Sequence, residues 1–571
     1  MHHRFAATLL VLFIFLVALR AARAQGKTTD AKPHPWYQHA VFYEIYPRSF
    51  MDSNGDGIGD LNGVASKLDY LKALGVDAIW IAPCFPSPQV DFGYDVSDYE
   101  NIDPMYGTLA DFERLQKLGA DHGIKIILDF VVNHTSDQHP WFTNSRSSRT
   151  APKRDWYIWR DGKGHGKDDG PPNNWISLFG GSAWQWDGAT NQYYYHYFYV
   201  QQPDLNWRNP AVVDAMYGTT EWWYKRGVAG FRLDAVDSLF EDPALRDNPV
   251  LPGTNAFGDP TVEDKYTQRL PEVHAALQGL RVVANKYNAV LIGETWTDNV
   301  AQLKPYYGTA NDELQMPMDL LLTKLDFSAR VFREHIDAVE STGEWPVFVI
   351  GNHDIQRSWN RYGDGQHNDA ISKDMAAMYL TLRGTPILYY GEEIGMQNND
   401  PTRREDVKDP IGRLGWPKEK GRDGERTPMQ WSGETNAGFT SGTPWNAIPD
   451  SYKAYNVADE LKDPHSILRW YKQLLALRRS SSALRDGQYI ALNEKDPNVL
   501  SYLRKTKNDA VIVVINMSAA PQMLNFTLSQ QRLSVGSAKT LLTTQPSLQN
   551  NSSVAQLSLE PFAVYIAALK K

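Results

Sequence analysis

The chain has 571 residues, more than one ordinary hydrophobic core accommodates, which predicts two or three packed units. Hydrophobic residues make up 42% and charged residues 22% of the sequence, a profile typical of a globular protein. The formal net charge of −9 is opposite in sign to the basic faces of nucleic-acid-binding proteins, so the composition argues against a nucleic-acid partner.

The first 24 residues have the pattern of a cleavable signal peptide. Arg4 precedes an apolar run at residues 5–19, and a cleavage site of A-x-A type stands at residues 22–24, before Gln25. The run is shorter than the roughly 20 residues that a membrane-spanning helix needs. We therefore predict a protein secreted to the periplasm or medium, with no stable membrane span; an uncleaved anchor is the alternative.

Short apolar runs alternate with amphipathic stretches along most of the chain, which predicts repeated βα units around a parallel sheet. The predicted strands lie at residues 40–46, 78–82, 125–132, 230–236, 289–293, 315–321, 347–350 and 386–390. Helical patterns lie between them, for example at 61–74 and 108–122. Eight such units predict an α/β fold of the TIM (β/α)8 barrel type.

The predicted barrel, residues 25–134 and 206–485, is longer than the roughly 250 residues of a plain barrel, so insertions are expected. Residues 135–205 are rich in Trp, Tyr, Gly, Asn and Asp without a helical period, and predict an inserted loop-rich domain after the third strand. A second irregular stretch, 397–441, follows the eighth strand. Short alternating strands over residues 486–571 predict a C-terminal antiparallel β-sandwich.

Four of the predicted strands end in polar residues that a purely structural strand would not need. These residues are Asp129, Asn133, His134, Arg232, Asp234, Glu294, Asn352, His353 and Asp354. Because the carboxyl ends of barrel strands meet at one rim, we expect these side chains to share one site. The alternative is a set of structural carboxylates, each of which costs free energy when buried unpaired.

Short motifs occur in order at residues 42–50, 52–60, 93–95, 129–134, 202–206, 230–234, 352–354 and 426–431. This set resembles the α-amylase superfamily, glycoside hydrolase family 13, and within it the oligo-1,6-glucosidase and α-glucosidase group. The resemblance covers essentially the whole chain after residue 24. The stretch Gln-Pro-Asp-Leu-Asn at 202–206 resembles the oligo-1,6-glucosidase group rather than true α-amylases.

The resemblance implies a retaining hydrolase of α-glucosides, with Asp234 as nucleophile and Glu294 as general acid/base. Such cleavage needs two carboxyl groups roughly 5–5.5 Å apart, one ionised and one able to give and take a proton. Arg232 precedes Asp234 by two residues, faces the same side of the strand, and can hold that carboxylate ionised. Apolar neighbours favour the protonated form of Glu294.

The other roles are also implied by resemblance. Asp354 resembles the carboxylate that binds sugar hydroxyls and favours the distorted ring of the transition state. His134 and His353 resemble two histidines that hydrogen-bond the same glucose unit. Tyr94 resembles the aromatic platform on which that glucose stacks.

Asp91 and Arg422 resemble the pair that closes the far end of the site and grips the non-reducing glucose, which makes such enzymes exo-acting. Arg426, four residues later, is an alternative to Arg422, and a surface salt bridge is the alternative to the pair. Ala235 follows the nucleophile. Because α-1,6-active members tend to carry Val there and maltases Ala or Thr, Ala235 favours α-1,4 bonds.

An acidic loop offers oxygen ligands at alternating positions, namely Asp52, Asn54, Asp56, the backbone of Ile58, and Asp60. With Gly57 at a sharp turn, the spacing resembles the first two-thirds of an EF-hand loop, although Gly63 stands where the bidentate Glu would be. The family resemblance implies a structural Ca²⁺ here, with no cofactor required for the chemistry. A metal-free loop of Asx turns is the alternative.

Two rival functions remain open. A glucosyl-transferring isomerase, of the trehalose synthase or sucrose isomerase type, would share the glycosyl-enzyme intermediate but let a sugar rather than water intercept it. Residues 355–359 lack the charged loop typical of sucrose isomerases, which makes this rival less favoured. A non-catalytic barrel relative would have lost catalytic carboxylates that this chain keeps. The oligosaccharide substrate and the oligomeric state are left open.

Overall fold

The computed structural model describes residues 34–164, 167–550 and 552–570. The chain divides into two units, Met1–His39 and Ala40–Lys571. The described part of the first unit contains one short helix, Trp36–His39. The predicted signal peptide, residues 1–24, lies outside the described residues and stays a prediction. Within the described ranges, no helix has the length and apolar character that crossing a membrane would require.

Eight parallel strands form the barrel of the second unit. In chain order they are β1 (Phe42–Ile45), β2 (Ala78–Ile81), β3 (Lys125–Val131), β4 (Gly230–Asp234), β5 (Val290–Gly293), β6 (Met316–Pro317), β7 (Val347–Val349) and β8 (Thr385–Tyr389). Neighbours in the sheet run β6-β5-β4-β3-β2-β1-β8-β7. A parallel bridge between Asp319 and Phe348 joins the two ends, so the barrel is nearly closed and the prediction of eight strands is confirmed.

Helices cover the outside of the barrel, as strands that are apolar on both faces require. The longer ones are Leu109–His122, Pro210–Tyr224, Glu272–Lys286, Ala329–Ser341, Asn368–Thr381 and Ile467–Ser480. The first begins at a capping box, in which the Thr108 side chain and the Asp111 side chain each accept the other's backbone N–H. The helix predicted at 61–74 is broken into Leu61–Ser66 and Leu68–Leu74, because Lys67 leaves the helical conformation.

The segment between β3 and the helix Pro210–Tyr224 forms a small irregular layer. It holds the helix Pro140–Arg146 and a three-stranded antiparallel sheet of Trp159–Arg160, Trp184–Asp187 and Gln192–Tyr195. Its core is aromatic and contains Trp175, Trp184, Tyr193, Tyr195 and Tyr197. These buried rings pack against one another, so packing accounts for four of them, whereas Tyr197 also lines the cavity at the strand ends. An exposed hairpin after β4, Val250–Thr254 with Pro260–Val262, is not predicted by the sequence.

The C-terminal part is antiparallel, as predicted. Its strands are β9 (Gln488–Leu492), β10 (Val499–Lys505), β11 (Ala510–Asn516), β12 (Gln522–Leu524), β13 (Ala538–Thr543), β14 (Leu557–Leu559) and β15 (Val564–Leu569). A five-stranded sheet has the order β9-β10-β11-β15-β13, and β12 pairs with β14. Alternate residues serve two cores: Ile512 and Val514 pack with Leu524 inside this domain, while Val513 and Ile566 join the main hydrophobic cluster of the barrel.

Candidate active site

A cavity of about 530 Å³ lies at the carboxyl ends of the barrel strands, where the sequence predicts the site. Its lining includes Asp91, Tyr94, His134, Asp234, Glu294, Asp354 and Arg422. Two further predicted residues, Arg232 and His353, are fully buried beneath it and contact the lining residues. The structure therefore brings all nine predicted catalytic and substrate-binding residues into one place.

Arg232 on β4 is the centre of a buried cluster of charges. Its Nη1 lies 2.6 Å from Oδ1 of Asp234 and 3.1 Å from Oδ1 of Asp129, and its Nη2 lies 2.7 Å from Oε1 of Glu294. The predicted contact with Asp234 is present, but the arginine serves three carboxyl groups rather than one. Sequence reasoning gave Asp129 no separate role, although the parallel register pairs it directly with Arg232.

The cluster is poised to hold a proton. Burial raises the pKa of Asp234 and that of Glu294 to about 7, while Arg232 acts in the opposite direction on both. Burial also raises the pKa of Asp129 to about 6. Because one guanidinium offsets a single negative charge, three carboxyl groups around it favour retaining a proton near neutral pH. This is the protonation pattern that one acid beside one carboxylate requires.

The backbone of Ala235 fixes the second oxygen of Glu294. Ala235 has a φ of +48°, in the left-handed region that non-glycine residues rarely adopt. In this conformation its N–H donates to Oε2 of Glu294 at 2.9 Å, while Oε1 lies against Arg232. The carboxyl group is thus held at both oxygens, and local backbone strain beside Asp234 serves that geometry.

A second arginine joins the other acidic residues of the cavity. Arg422 lies 2.7 Å from Oδ1 of Asp91, 3.0 Å from Oδ1 of Asp354 and 2.7 Å from Oδ2 of Asp409. The Arg422 side chain is 13% exposed and that of Asp91 4%, so this is no surface salt bridge. Arg426 also lies 2.7 Å from Oδ1 of Asp354, and its Nε donates to the carbonyl oxygen of His353. The contact with Asp91 distinguishes Arg422, as predicted.

These arginines keep Asp354 ionised. Burial alone would raise the pKa of Asp354, but the guanidinium groups of Arg422 and Arg426, both within 3.0 Å of its Oδ1, outweigh burial and hold that pKa well below its ordinary value. Asp354 therefore differs from Asp234 and Glu294, whose pKa values burial raises. A permanently charged acceptor suits the binding of sugar hydroxyl groups better than proton transfer.

The predicted platform and histidines form a packed polar layer. Tyr94 Oη lies 2.6 Å from Nε2 of His353, and the two rings stack with centroids 5.3 Å apart. Nε2 of His134 lies 3.1 Å from the Tyr94 carbonyl oxygen. Burial lowers the pKa of both histidines, to about 3 for His134, so both imidazoles are neutral. Sequence reasoning missed two supports: Glu44, 2.6 Å from Nδ1 of His353, and Gln202, which donates to Asp91.

The acidic loop contains the turn chemistry of its alternative interpretation. Oδ1 of Asp52 accepts the N–H groups of Asn54 and Gly55, and Asp60 caps the helix Leu61–Ser66. Gly57 has a φ of +91°, and an added Cβ would lie 1.8 Å from the Thr443 carbonyl oxygen, so the predicted sharp turn is present.

The fit of this loop to a cation is mixed. Over the described residues, Asp52, Asp56 and Asp60 do not converge as a group with oxygens within 4.8 Å of one another. Over the same ranges, however, none of the three forms an ion pair with a basic side chain, and the loop offers only oxygen donors. Hard oxygen ligands suit Ca²⁺, but the carboxylates of Asp52 and Asp60 already accept hydrogen bonds from the loop. The metal therefore stays a prediction.

Comparison with known families now identifies the chain. The family model described as alpha amylase, catalytic domain, matches residues 44–487, and the one described as maltogenic amylase, C-terminal domain, matches residues 489–566. The chain belongs to the α-amylase family. It is therefore an enzyme of glycoside hydrolase family 13, and the predicted resemblance, barrel and C-terminal antiparallel domain are confirmed.

Known relatives of this α-amylase-family chain differ in their reactions. A probable alpha-glucosidase of Rhizobium meliloti (strain 1021) is 42% identical over 510 residues, covering 86% of this chain and 92% of its own. An oligo-1,6-glucosidase of Parageobacillus thermoglucosidasius is 40% identical over 519 residues, covering 85% and 90%. The crystal structure of an alpha-glucosyl transfer enzyme is 40% identical, with a TM-score of 0.86 over 94% of this chain and 100% of that one.

The ion pairs of Arg422 with Asp91, Asp354 and Asp409, called the Arg422 bridge below, lead to a prediction about stability. Replacing Arg422 by Met leaves Asp91 and Asp409 buried without their cation, which we expect to lower the free energy of unfolding by about 3–5 kcal/mol. The matched control is Arg403→Met, which removes a cation that is 64% exposed and paired with Asp406 at the surface. Thermal melting followed by circular dichroism should show a Tm lowered by several degrees for Arg422→Met and unchanged for the control. Equal Tm values for the two variants would contradict this account of the bridge.

Proposed function

We propose that the chain is an exported, exo-acting α-glucosidase that releases glucose from short α-glucosides with retention and prefers α-1,4 bonds. The observation that carries the proposal is a single cavity lined by both charge centres. One centre joins Asp234 and Glu294 through Arg232, and the other joins Asp91 and Asp354 through Arg422. The similarity to an alpha-glucosidase and an oligo-1,6-glucosidase supports it.

Asp234 and Glu294 would divide the chemistry between them. The Asp234 carboxylate attacks the anomeric carbon while the bond to the leaving oxygen breaks, and Glu294 gives its proton to that oxygen. Glu294, now ionised, takes a proton from water as the water oxygen attacks the same carbon and the bond from that carbon to Asp234 breaks. Asp234 leaves as a carboxylate and Glu294 is protonated again, so both carboxyl groups return to their starting states. Two inversions at one carbon give net retention.

The second charge centre supports an exo mode of action. Asp91, Arg422 and Asp354 supply charged hydrogen-bonding groups at one part of the cavity wall, where they would satisfy the hydroxyls of a terminal glucose. Arg422 bridges the two carboxylates, so its side chain closes the space between them. A cavity of about 530 Å³ suits a ligand of a few sugar rings rather than a polymer passing through.

A substrate panel tests the proposal. Maltose should be cleaved with kcat/KM roughly ten-fold or more above isomaltose, since Ala235 lines the cavity beside the nucleophile. Soluble starch should yield glucose without internal fragments, and NMR should show α-glucose as the first product. Asp234→Ala should abolish activity on every substrate while folding normally by circular dichroism. An active Asp234→Ala enzyme, or an inactive parent, would refute the proposal.

Transfer to a sugar is the second candidate function, because the chain is similar over 94% of its length to an alpha-glucosyl transfer enzyme. The two functions share the glucosyl-enzyme and differ in what attacks it. Chromatography of products at high maltose concentration separates them. Free glucose in excess of new oligosaccharides supports the hydrolase, whereas new glycosidic products in excess of hydrolysis would make the chain a transferase.

The raised pKa values of Glu294 and Asp234 predict how the activity depends on pH. A raised pKa keeps Glu294 protonated up to about pH 7, so kcat/KM for maltose should fall as pH rises through about 7. Asp234 must be ionised, so kcat/KM should also fall on the acid side. α-Glucosyl fluoride needs no proton from the enzyme to release fluoride, so its profile should lose the basic limb. A maltose profile that already declines above pH 5 would contradict the raised pKa of Glu294.

We also propose that the acidic loop at residues 52–60 binds a structural Ca²⁺. Asp52, Asp56 and Asp60, with the oxygens of Asn54 and Ile58, would hold the ion, whose role is to offset their charge and brace the loop. Ca²⁺ at 100 times its Kd should stabilise the fold by about 2.7 kcal/mol.

Melting curves in Ca²⁺ and in EGTA test this site. The parent should melt at a higher temperature in Ca²⁺, and Asp56→Ala should lose that difference. Asp98→Ala is the matched control, because Asp98 is also exposed and also accepts a turn N–H, that of Glu100. Identical melting of the parent with and without Ca²⁺ would remove the metal from the proposal.

A further inference from the structure

Trp296 is a cavity-lining residue that neither the motifs nor the predicted site includes. It follows Glu294 by two residues in the segment beyond β5, and both side chains line the cavity. The residue is half-buried. Because Glu294 would protonate the leaving oxygen, a ring that accompanies Glu294 along the cavity wall is placed to meet the leaving group rather than the terminal glucose.

The surroundings of Trp296 belong to a different sector of the rim from the Arg422 bridge. Trp296 is contacted by Asp237, Arg269 and Lys324. The first two follow β4 in the chain, and Lys324 follows β6. Asp91, Asp354 and Arg422 follow β2, β7 and β8. The barrel order puts these two sets on separate arcs, with Asp234 and Glu294 on the first arc.

The backbone of Trp296 is fixed at both of its polar groups. Its N–H donates to Oδ2 of Asp237 at 2.9 Å, and its carbonyl oxygen accepts from Nη1 of Arg269 at 3.0 Å. Asp237 is itself held by the hydroxyl of Tyr306, and Nζ of Lys324 lies 5.2 Å from the centre of the indole ring. A fixed backbone limits the positions that the indole can take, and a side chain positioned before binding loses less entropy when a ligand stacks on it.

Core packing does not account for this side chain. Among the described residues, Trp296 belongs to neither the main hydrophobic cluster nor the partly buried residues that pack on it, whereas Trp222 on the helix Pro210–Tyr224 does pack there. An indole that lines a polar cavity, outside the core, offers an apolar face with a polar edge. Sugar rings present a matching apolar face bordered by hydroxyls.

We propose that Trp296 is the stacking platform for the sugar ring of the leaving group, and for an acceptor sugar that takes its place. This inference rests on the proposed function. The platform would stabilise the step in which a disaccharide gives the glucosyl-enzyme. It would also stabilise transfer, in which an acceptor hydroxyl attacks the anomeric carbon as its proton passes to Glu294 and the bond to Asp234 breaks. Attack by water would not use it, because the leaving sugar has departed.

Three substrates with one glucosyl group separate the role of Trp296 from that of its neighbours. Maltose has a sugar leaving group that needs a proton and can stack. Methyl α-glucoside has a leaving group that needs a proton but has no ring. α-Glucosyl fluoride needs neither. For Trp296→Ala we expect kcat/KM to fall roughly 3- to 12-fold with maltose, the range of a lost aromatic contact, and to stay within about two-fold with the other two.

Variants and products complete the experiment. Trp296→Phe should restore most of the maltose activity, and Trp222→Ala, a half-exposed tryptophan outside the cavity, should behave like the parent. The ratio of transfer product to glucose at high maltose concentration should also fall in Trp296→Ala.

Each other outcome has a distinct meaning. Equal losses with maltose and methyl α-glucoside would show that the variant disturbs Glu294, and equal losses with all three would show a wider structural defect; either result overturns the platform. Unchanged maltose activity overturns it as well. A parent enzyme inactive on α-glucosyl fluoride would instead refute the proposed function.

Discussion

The buried guanidinium of Arg232 is the interaction on which the site depends. It has no exposure to solvent, and removing a charge from water is costly unless partners replace the lost hydration. The barrel supplies those partners by register, since β3 places Asp129 directly beside Arg232 and β5 leads into Glu294 one residue after its own pairing with β4 ends. The requirement for a satisfied cation in the barrel wall therefore also brings together Asp234 and Glu294, the two carboxyl groups that the proposed chemistry needs.

A second constraint comes from loops that are far apart in sequence. Arg422 lies in the segment after β8 and is anchored by Asp409, yet its function is to bridge Asp91 and Asp354 from two other strand ends. Gln202, from the inserted layer, then donates to Asp91. Each segment alone carries uncompensated charge or an unsatisfied polar group, so the loops stabilise one another only when the cavity between them is formed.

The sequence predicts what is local and misses what depends on register. Strand ends are local, so the rim residues could be listed before their contacts were known. Asp129 and Gln202 could not be given their roles, because these depend on a neighbouring strand and an inserted loop. Arg422 and Arg426 are four residues apart, and only folding shows that Arg422 alone of the two contacts Asp91. The hairpin at 250–262 lacks the apolar alternation of a buried strand, so no pattern predicts it.

Under the proposed function, the choice of glycosidic bond and of acceptor would be a joint property of the groups around Glu294. Ala235 holds one oxygen of that carboxyl through its backbone, and its side chain borders the same cavity. Trp296 follows Glu294 by two residues and lines the part of the cavity through which a leaving sugar would depart under the proposal. A larger residue at 235 would change how the glycosidic bond approaches the carboxyl groups, and the proposed platform at 296 would change which ring orientations bind well. Relatives named for α-1,6 cleavage and for glucosyl transfer are compatible with one catalytic pair under this proposal, in which the pair would set the chemistry while residues 235 and 296 would select the geometry of what leaves and what attacks.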